Sequence, residues 1–420
     1  MLPKKAHRNP GVLIAHPTGN EFFRQALQTL DEAGLLREFW TSLGWVNVPA
    51  WLPTCESIGS RLGRRSLGVL HDGVLRLDPV RECARLLLTS PWCRSWVRHE
   101  SGPFCVDQVY RHLDWRISRS LSNSSNITSV YLYEDGACRS FRLASELGLE
   151  RVYDLPIPYW EVLHRWMTAE AERWPEWSMT IPAMMDSRQK LLRKSEEVTL
   201  ANKIVVASTF TLRSLDGKTR PDQSIRIIPY GCPPPVSLDQ CQRSQSGILK
   251  LLYVGSLTQR KGLAYLQAAL NQVGWRHLEV TIIGRRPEAV CPPLEKLLAR
   301  CTHIPTLPHA EILSQMRRHD LLVFPSIAEG FGLVISEALS QGLPVLTTEN
   351  TAGPDLIGRD VGGWVVPPGS TEALVEKIEL ALMRPSLLRE KGEQAVHVAR
   401  SHGWEQYRRN LCSFVLGVGA

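Results

Sequence analysis

The chain has 420 residues, which is too long for one compact domain of ordinary size and predicts two large domains or three small ones. Hydrophobic residues make up 43% and charged residues 22%, with 30 Gly and 28 Pro, and this composition excludes a disordered, collagen-like or fibrous protein. The 49 Lys and Arg outnumber the 42 Asp and Glu by seven, a surplus that permits an anionic partner without requiring one.

Targeting signals and long apolar runs are not found in the sequence. No stretch approaches the roughly 18 apolar residues that a membrane span needs, and the apolar run at Val12–Ala15 is too short for a secretory signal. The ten cysteines form no CxxC pair, so we expect reduced thiols rather than a zinc site or disulfides. The sequence has no long stripe of Lys and Arg, so it does not indicate a nucleic-acid partner. A cytoplasmic protein is expected.

The first half of the chain alternates predicted strands with predicted helices. An apolar run at residues 11–15 predicts a buried parallel strand, and apolar residues then recur at helical spacing from Phe22 to Leu30. A second strand at 130–133 precedes a helical segment that contains Phe141 and Leu147, and further strands are expected at 151–156 and 203–208. Residues 40–119 show no clean period, so no element is predicted there.

The alternation restarts after a Pro-rich, polar stretch, which predicts a linker at 233–247 between domains at 1–232 and 248–403. The later half has predicted strands at 249–255, 280–284, 321–325, 343–347 and 363–366, with helices at 262–270, 311–316, 332–339 and 371–383. The fold class is therefore α/β, with two Rossmann-like, doubly wound domains that face each other across a cleft.

The segment from Pro325 to Ala338 carries the strongest chemical signal. A buried strand is expected to end at Pro325, and a tight turn holds Glu329 before a helix whose positive dipole end faces the turn. Gly330 and Gly332 let backbone N–H groups approach a ligand. Glu337 follows eight residues after Glu329, so both carboxylates are expected to face the cleft. A diphosphate flanked by two sugars fits this arrangement.

These residues resemble the E-x7-E motif of retaining glycosyltransferases with the GT-B fold, especially those of family 4. Other strings agree with the resemblance: the IPYG at 228–231, the S-x-x-T at 208–211, the G-x-P-V at 342–345, and the loop at 253–262, which is similar to a G-R-x4-K-G loop. The N-terminal half resembles a bacterial branch of the family through HPTGN at 16–20, YEDG at 133–136 and RWPEW at 173–177. The resemblance also implies that a helix at 404–420 packs back on the N-terminal domain.

The resemblance assigns the catalytic set to Glu329, Lys261 and Arg260. Lys261 would bind the donor diphosphate, whose charge grows as it leaves. The arginine that the family pairs with this lysine falls on Ser256, and Arg260 is the candidate replacement, although neighbouring side chains on an extended loop often point apart. Glu329 would contact the transferred sugar, and Glu337 the ribose hydroxyls.

Further donor contacts are implied around these residues. Backbone groups of the glycine-rich turn would hold sugar or phosphate oxygens, and a loop after the first strand would approach the diphosphate across the cleft. The implied donor-binding set is Glu337, Gly330, Phe331, Gly332, Leu333, Ser256, Gly19 and Asn20. A histidine that many relatives carry after an N-terminal strand is replaced by residues 154–156, which contain none.

Four features of the N-terminal half keep two interpretations each. His16 is either a ligand-facing residue or a turn histidine satisfied by backbone hydrogen bonds, and Glu134 and Asp135 are either cleft residues or solvated loop acids. The tryptophans either line an acceptor site or, as we prefer, pack in the core: Trp160, Trp166, Trp174 and Trp177. A basic cluster either contacts anionic lipid or forms a solvated face, the default interpretation: Arg61, Arg64 and Arg65.

The function implied is that of a metal-independent, retaining hexosyltransferase of polysaccharide or glycolipid biosynthesis. It would move a sugar from a nucleotide-diphosphate donor, its co-substrate, to a hydroxyl of a glycan, lipid-linked or small-molecule acceptor. No metal or other cofactor is expected, because protein cations and a helix dipole supply the charge, and peripheral contact with the inner membrane face is a further expectation. The alternative, kept open by Ser256, is a non-catalytic nucleotide-sugar-binding or assembly protein.

Overall fold

The computed structural model describes residues 11–45, 70–88, 90–181, 186–237, 247–358 and 360–417, together with residues 65, 67, 239 and 241. Two parallel sheets with helices on both faces organise these residues. The predicted fold class, two doubly wound α/β domains, is confirmed. Within the described ranges no helix combines the length and apolar character that a membrane crossing requires.

The N-terminal sheet has seven parallel strands in the order β3-β2-β1-β4-β5-β6-β7. Its strands are β1 (Val12–Ala15), β2 (Leu36–Thr41), β3 (Leu75–Leu77), β4 (Ser129–Tyr133), β5 (Glu150–Leu155), β6 (Lys203–Val206) and β7 (Ser224–Ile227). The helices that accompany it are α1 (Glu21–Glu32), α2 (Pro79–Leu87), α3 (Val106–Leu121), α4 (Cys138–Glu146), α5 (Trp160–Arg173), α6 (Arg188–Leu200) and α7 (Thr209–Ser214). Short 3-10 helices span Pro91–Val97 and Pro175–Thr180.

The C-terminal sheet has six parallel strands in the order β10-β9-β8-β11-β12-β13. Its strands are β8 (Leu249–Val254), β9 (Leu278–Ile283), β10 (Thr302–Ile304), β11 (Leu321–Phe324), β12 (Val345–Thr348) and β13 (Gly363–Val366). Its helices are α8 (Leu263–Val273), α9 (Pro292–Leu298), α10 (His309–Arg317), α11 (Leu333–Ser340), α12 (Gly353–Ile357), α13 (Thr371–Met383) and α14 (Pro385–Ser401). The last helix is α15 (Trp404–Leu416).

Several of the strands that the sequence predicts are buried on both faces. All residues of β1, β4 and β11 are buried, which explains their uninterrupted apolar runs. The strands that escaped prediction include edge strands such as β3 and β10, which are only three residues long and partly exposed. Residues 40–119, where no element was predicted, contain α2 and α3. Their apolar spacing is interrupted by buried acids such as Glu82 and Asp114.

The two sheets are linked by residues 228–248, within which the predicted linker lies; residues 238, 240 and 242–246 fall outside the described part. The chain returns to the N-terminal domain at its end, where α15 packs against α1. Lys203 Nζ donates a hydrogen bond to the Val415 carbonyl oxygen over 2.9 Å. The N-terminal sheet is thus closed on one side by the last helix of the chain.

The tryptophan-rich segment packs against the other domain. Trp177 is fully buried in one core with residues of the C-terminal domain, and the Trp174 ring contacts Tyr265 edge-on at 5.5 Å. Trp166 also packs against this core, while Trp160 packs against the N-terminal one. The preferred interpretation, packing rather than an acceptor platform, is therefore the one that the structure supports.

The basic cluster is not a solvated face where it can be described. Arg65 is buried, and its guanidinium forms an ion pair with the buried carboxylate of Glu82. A charged group inside the protein needs such a partner, so Arg65 serves the interior and not a lipid surface. Arg61 and Arg64 lie outside the described residues. The nine cysteines in the described ranges all carry free thiols.

Candidate functional site

The strongest sequence motif lies at the topological switch point of the C-terminal sheet. Strands β8 and β11 are neighbours, and helices leave them toward opposite sides of the sheet. The loops that follow, residues 255–262 and 325–332, therefore meet at one edge. Gly262, with φ of 75°, is required there, because a Cβ would lie 1.9 Å from the Pro325 carbonyl oxygen.

A cavity of about 450 Å³ opens at this edge, and both domains contribute to its wall. The C-terminal domain supplies most of the lining: Val254, Gly255, Ser256, Arg260, Lys261, Phe324, Glu329, Phe331, Gly332, Leu333 and Val334. The N-terminal domain supplies Phe22, Pro156, Ile157 and Tyr230. A ligand in this cavity would contact both domains at once.

Glu329 is the centre of a charged cluster in the cavity. Its Oε2 atom accepts a hydrogen bond from Arg260 Nη1 over 2.9 Å and one from Lys261 Nζ. Arg260 Nη1 also donates to the Ala328 carbonyl oxygen, and the Arg260 carbonyl oxygen accepts from Ile327 N. These backbone contacts hold the two loops together and thereby keep both cations next to the Glu329 carboxylate.

Burial and charge act in opposite directions on these groups. Burial would raise the pKa of Glu329, but the charges of Lys261 and Arg260 outweigh it and lower the pKa to about 2, so the carboxylate is ionised. Burial lowers the pKa of Lys261 to about 8, with a smaller contribution from Arg260 and against the effect of Glu329. Lys261 is thus a desolvated ammonium group, and an anion with more negative charge than the Glu329 carboxylate would stabilise its charged form further.

Backbone donors are available beside this cluster. Helix α11 begins at Leu333, and its N-cap Gly332 has φ of 86°, a conformation that favours glycine. Gly332, Leu333 and Val334 line the cavity, so the first N–H groups of the helix, which have no partner within the helix, lie at its wall. The cavity therefore combines two cations with a helix N-terminus.

Gly330 joins the two domains beside Glu329. Its carbonyl oxygen accepts hydrogen bonds from Ser208 Oγ at 2.5 Å and from Thr211 Oγ1 at 3.1 Å. A Cβ on Gly330 would lie 1.8 Å from the Pro156 carbonyl oxygen, so only glycine fits. The predicted S-x-x-T string is thus the N-terminal domain's contact to the glutamate loop. Asp355, which accepts from Thr209 N at 3.0 Å, adds a second contact between the domains.

Glu337 lies on α11, outside the cavity lining. Its Oε1 atom is 2.9 Å from His309 Nε2, and this contact raises the pKa of His309 above its ordinary value. The Glu337 side chain is 19% exposed and faces the region between α10 and α1, since Glu21 of α1 also acts on His309. Glu337 therefore lies apart from the cavity lining that includes Glu329, and each carboxylate has its own partner.

Of the other predicted donor contacts, Ser256 lines the cavity, whereas Gly19 and Asn20 do not. Asn20 is the N-cap of α1, and its side chain accepts a hydrogen bond from Phe23 N. The His16 Nδ1 atom accepts from Thr18 N at 3.2 Å and from Gly19 N at 2.9 Å. His16 is thus the turn histidine of the second interpretation, and burial, aided by the charge of Arg65, lowers its pKa to about 3.

The acids after β4 are engaged in ion pairs with α6. Asp135 contacts Arg193 at 2.5 Å and Lys190 at 3.2 Å, and Glu134 lies 3.4 Å from Lys194. Neither acid lines the 450 Å³ cavity, and neither is a solvated loop acid. Both belong to a buried charge network at the switch point of the N-terminal sheet, between β1 and β4.

Several residues of the site escaped the sequence analysis. Phe22 stacks on Tyr230 with ring centres 4.6 Å apart, and together they form the aromatic wall of the cavity. Tyr230 belongs to the IPYG string, whereas Phe22 shows only as one apolar position of a helix. Pro156 and Ile157 follow β5, the strand end at which the family histidine is replaced.

A buried polar network holds the cationic turn from behind. Gln259, next to Arg260, donates from Nε2 to Glu170 Oε2 at 2.7 Å, and its backbone N donates to Thr180 Oγ1 at 2.9 Å. Tyr265 OH also donates to Glu170, at 2.8 Å. Because Glu170 and Thr180 come from the N-terminal half, no local sequence signal pairs them with Gln259.

One group of potential metal ligands is found in the described ranges, at some distance along the sequence from the cavity residues. It comprises His99, Glu100 and Asp186. His99 and Asp186 already contact each other at 3.1 Å, and Asp186 also pairs with Lys190 and Lys194. Because the two lysines already neutralise Asp186, we do not propose a metal site here.

Comparison with known proteins supports the interpretation of the C-terminal domain. Residues 249–384 match the family model described as "Glycosyl transferases group 1". The amylovoran biosynthesis glycosyltransferase AmsK of Erwinia amylovora is 32% identical over 139 residues, 30% of this chain and 34% of that protein. The D-inositol 3-phosphate glycosyltransferase of Segniliparus rotundus is 31% identical over 163 residues, 36% of each chain. The alignment spans about a third of the length of these curated relatives.

The whole fold also has solved counterparts. The structure of sucrose-phosphate synthase from Thermosynechococcus elongatus aligns with a TM-score of 0.65 and 15% identity, over 98% of this chain and 99% of that chain. A similarity of this kind concerns the fold alone. It extends the likeness from the matched C-terminal domain to both domains and their arrangement.

Proposed function

We propose that the chain is a retaining glycosyltransferase of the family 4 type, which transfers a sugar from a nucleotide-diphosphate donor to an acceptor hydroxyl. The observation that carries the proposal is the cluster of Glu329, Lys261 and Arg260 at the start of α11, in a cavity lined by both domains. A match of the same residues to a glycosyltransferase domain supports it.

The cluster suits a diphosphate in terms of charge. An entering diphosphate carries more negative charge than one carboxylate and competes with Glu329 for Lys261 and Arg260. Glu329, kept ionised, is then free to accept hydrogen bonds from hydroxyls of the transferred sugar and to stabilise positive charge near the anomeric carbon. The cations and the N-terminus of α11 stabilise the nucleoside diphosphate as it leaves.

Glu337 is proposed to accept hydrogen bonds from the ribose hydroxyls. It lies about one helical turn beyond the start of α11, and its partner His309 is exposed enough to move aside. Ser256, Phe331, Gly332 and Leu333 line the cavity together with Glu329 and complete the proposed donor site. The acceptor would enter from the N-terminal domain and meet the sugar between Glu329 and the aromatic wall of Phe22 and Tyr230.

The non-catalytic alternative rested on the absence of the family arginine at Ser256. The contact between Arg260 and Glu329 weakens that argument, since a guanidinium occupies the site from another position. We also propose that no metal or other cofactor takes part, that the protein acts in the cytoplasm and that it contacts the inner membrane face. Synthesis of a polysaccharide or glycolipid is the proposed setting.

A panel of UDP, GDP and ADP sugars tests the proposal by thermal shift followed by a transfer assay. One donor family is expected to raise the melting temperature, because a ligand that binds only the folded state stabilises it. The stabilising donor should then be consumed in the presence of acceptor sugars, with the anomeric configuration retained in the product by NMR. Stabilisation without any turnover would favour the non-catalytic alternative, and inversion would refute the retaining course.

A further inference from the structure

One stretch of the N-terminal domain exposes an unusual number of large apolar side chains. Seven of the fifteen exposed large apolar residues in the described ranges lie within 39 residues of sequence, 77–115. Trp92 is 92% exposed, Leu87 80% and Val80 71%. The others are Leu77, Trp96, Val106 and Trp115. We call the surface of these seven residues the tryptophan face. Such a concentration marks an interaction surface.

The elements that carry the tryptophan face are packed side by side. The Trp96 ring stacks on Phe104 at 6.1 Å, and Arg81 of α2 donates a hydrogen bond to the neighbouring Pro103 carbonyl oxygen at 2.7 Å. Helix α3 contacts α2, and its His112 lies 2.5 Å from Asp78 just before α2. Residues from α2, the 3-10 helix at Pro91–Val97 and α3 thus lie next to one another in space.

The charges of this stretch are sorted by sign between interior and surface. Four of its five acids are buried, and the fifth, Glu100, is partly buried and binds Ser187. Four of the seven arginines at residues 77–119 are exposed, namely Arg94, Arg98, Arg116 and Arg119. Within the described part of residues 77–119, the surface is therefore both apolar and cationic, without an exposed acid.

A basin beside Trp115 adds a defined anion site to this surface. It measures about 330 Å³ and is lined by Arg81, Gln108, Arg111, His112, Trp115 and Arg139. Three guanidinium groups at one concave, open position can hold a phosphate group by charge-assisted hydrogen bonds. No carboxylate lines the basin among the described residues.

We propose that the tryptophan face and its arginine basin dock on an anionic lipid bilayer. Tryptophan side chains favour the headgroup region of a membrane, where the ring is half solvated, and arginines are drawn to a negatively charged surface. A protein partner would need acids and apolar pockets at matching positions, whereas a fluid layer of anionic headgroups accommodates any arrangement of such groups. The charge complementarity therefore favours lipid.

The tryptophan face gives a location to the membrane contact proposed above. It lies apart from the donor cavity, and its docking does not depend on the transferase activity. Its test is cosedimentation of the full chain with vesicles of phosphatidylcholine alone or mixed with phosphatidylglycerol. Binding is expected only to the anionic vesicles, and high salt should weaken it. The variant Arg94→Ser/Arg98→Ser should reduce the partition coefficient about tenfold to thirtyfold, at about 1 kcal/mol for each cation. Trp92→Ser/Trp96→Ser should also release the protein.

The matched control is Met383→Ser/Arg286→Ser, which removes an exposed apolar residue and an exposed cation from the C-terminal domain. It should bind like the unmodified protein, whereas Arg111→Ser, which removes one guanidinium group of the basin, should lower binding to the anionic vesicles. Equal binding to neutral and anionic vesicles, no binding at low salt, or loss in the control would overturn the proposal. A dimer that is detected by sedimentation velocity and dissociates in Trp92→Ser would also overturn it, because the tryptophan face would then bind a second copy of the chain.

Discussion

Arg260 Nη1 lies 2.9 Å from Glu329 Oε2, although the two residues are 69 positions apart and come from different loops. The guanidinium thereby reaches the cavity in which Ser256 stands at the position of the family arginine. Its second hydrogen bond, to the Ala328 carbonyl oxygen, holds it there. We propose that Arg260 supplies, from four residues later in the same loop, the charge that Ser256 lacks.

Arg260 should therefore be needed for diphosphate affinity. Arg260→Ala is expected to weaken binding of the preferred nucleoside diphosphate about tenfold to a hundredfold, since hydrogen bonds to charged groups contribute roughly 1.5–3 kcal/mol. Isothermal titration calorimetry measures this. Arg286→Ala, an exposed arginine of the same domain, is the control. Adding Ser256→Arg to the alanine variant should recover part of the affinity. Unchanged affinity in Arg260→Ala would show that the guanidinium serves only the loop.

The affinity for a nucleoside diphosphate should fall as pH rises through about 8. Burial lowers the pKa of Lys261 to about 8, so the free protein loses this positive charge above that pH. The terminal phosphate of the ligand, with a pKa near 6, is fully ionised by then and does not contribute. Calorimetric titrations between pH 7 and 9.5 should show the decline, and Lys261→Arg should abolish it because arginine stays charged. A decline that persists in Lys261→Arg would assign the effect to another group.

Glu337 should distinguish ribose from deoxyribose. If its carboxylate binds the ribose hydroxyls, the unmodified protein prefers a ribonucleoside diphosphate to its 2′-deoxy analogue, and Glu337→Ala loses that preference. The measured quantity is the ratio of the two dissociation constants. Changes that weaken the binding of both ligands equally do not affect this ratio. Glu311→Ala, on the neighbouring α10, is an exposed control. A ratio that is the same in Glu337→Ala and the unmodified protein would remove Glu337 from the ribose site.

The Glu170 network should matter for both stability and donor binding. Glu170→Ala leaves Gln259 Nε2 and Tyr265 OH without their buried acceptor, at an expected cost of about 1–3 kcal/mol each in the free energy of unfolding. Because Gln259 adjoins Arg260, the KM for donor should rise more than kcat falls. Glu172→Ala, an exposed acid on the same helix, should change neither. Lower stability in urea with an unchanged KM would limit Glu170 to a structural role.

The sequence was most informative where chemistry and burial coincide in one short segment. The strand, glycine turn and helix around Glu329 were predicted within one residue at each end, because β11 is buried on both faces and Gly332 marks the start of α11. The contact of Arg260 with Glu329 depends on the pairing of β8 with β11, which places two distant loops together. Whether Arg260 reaches the cavity could not be predicted from the loop alone.

The N-terminal side was less accessible to prediction for physical reasons. Phe22 and Pro156 enter the cavity through the approach of one domain to the other, which leaves no periodic pattern. The role of His16 could not be predicted, because the same turn sequence is compatible with a histidine that binds a ligand and with one that binds its own backbone. The structure shows the second, since Thr18 N and Gly19 N donate hydrogen bonds to it. The exposure of Trp92 could not be predicted either, because an exposed tryptophan and a buried one look alike in a sequence.

The most direct test of the account is release of nucleoside diphosphate from the stabilising donor, compared between the unmodified protein and Glu329→Gln. This substitution keeps the size of the side chain and removes the charge that Lys261 and Arg260 hold. We predict slow donor hydrolysis without acceptor and faster release with it, with both rates reduced at least a hundredfold in Glu329→Gln, the order expected on loss of a key electrostatic contact, and unchanged in the exposed control Glu376→Gln. Equal rates in Glu329→Gln and the unmodified protein would contradict the account.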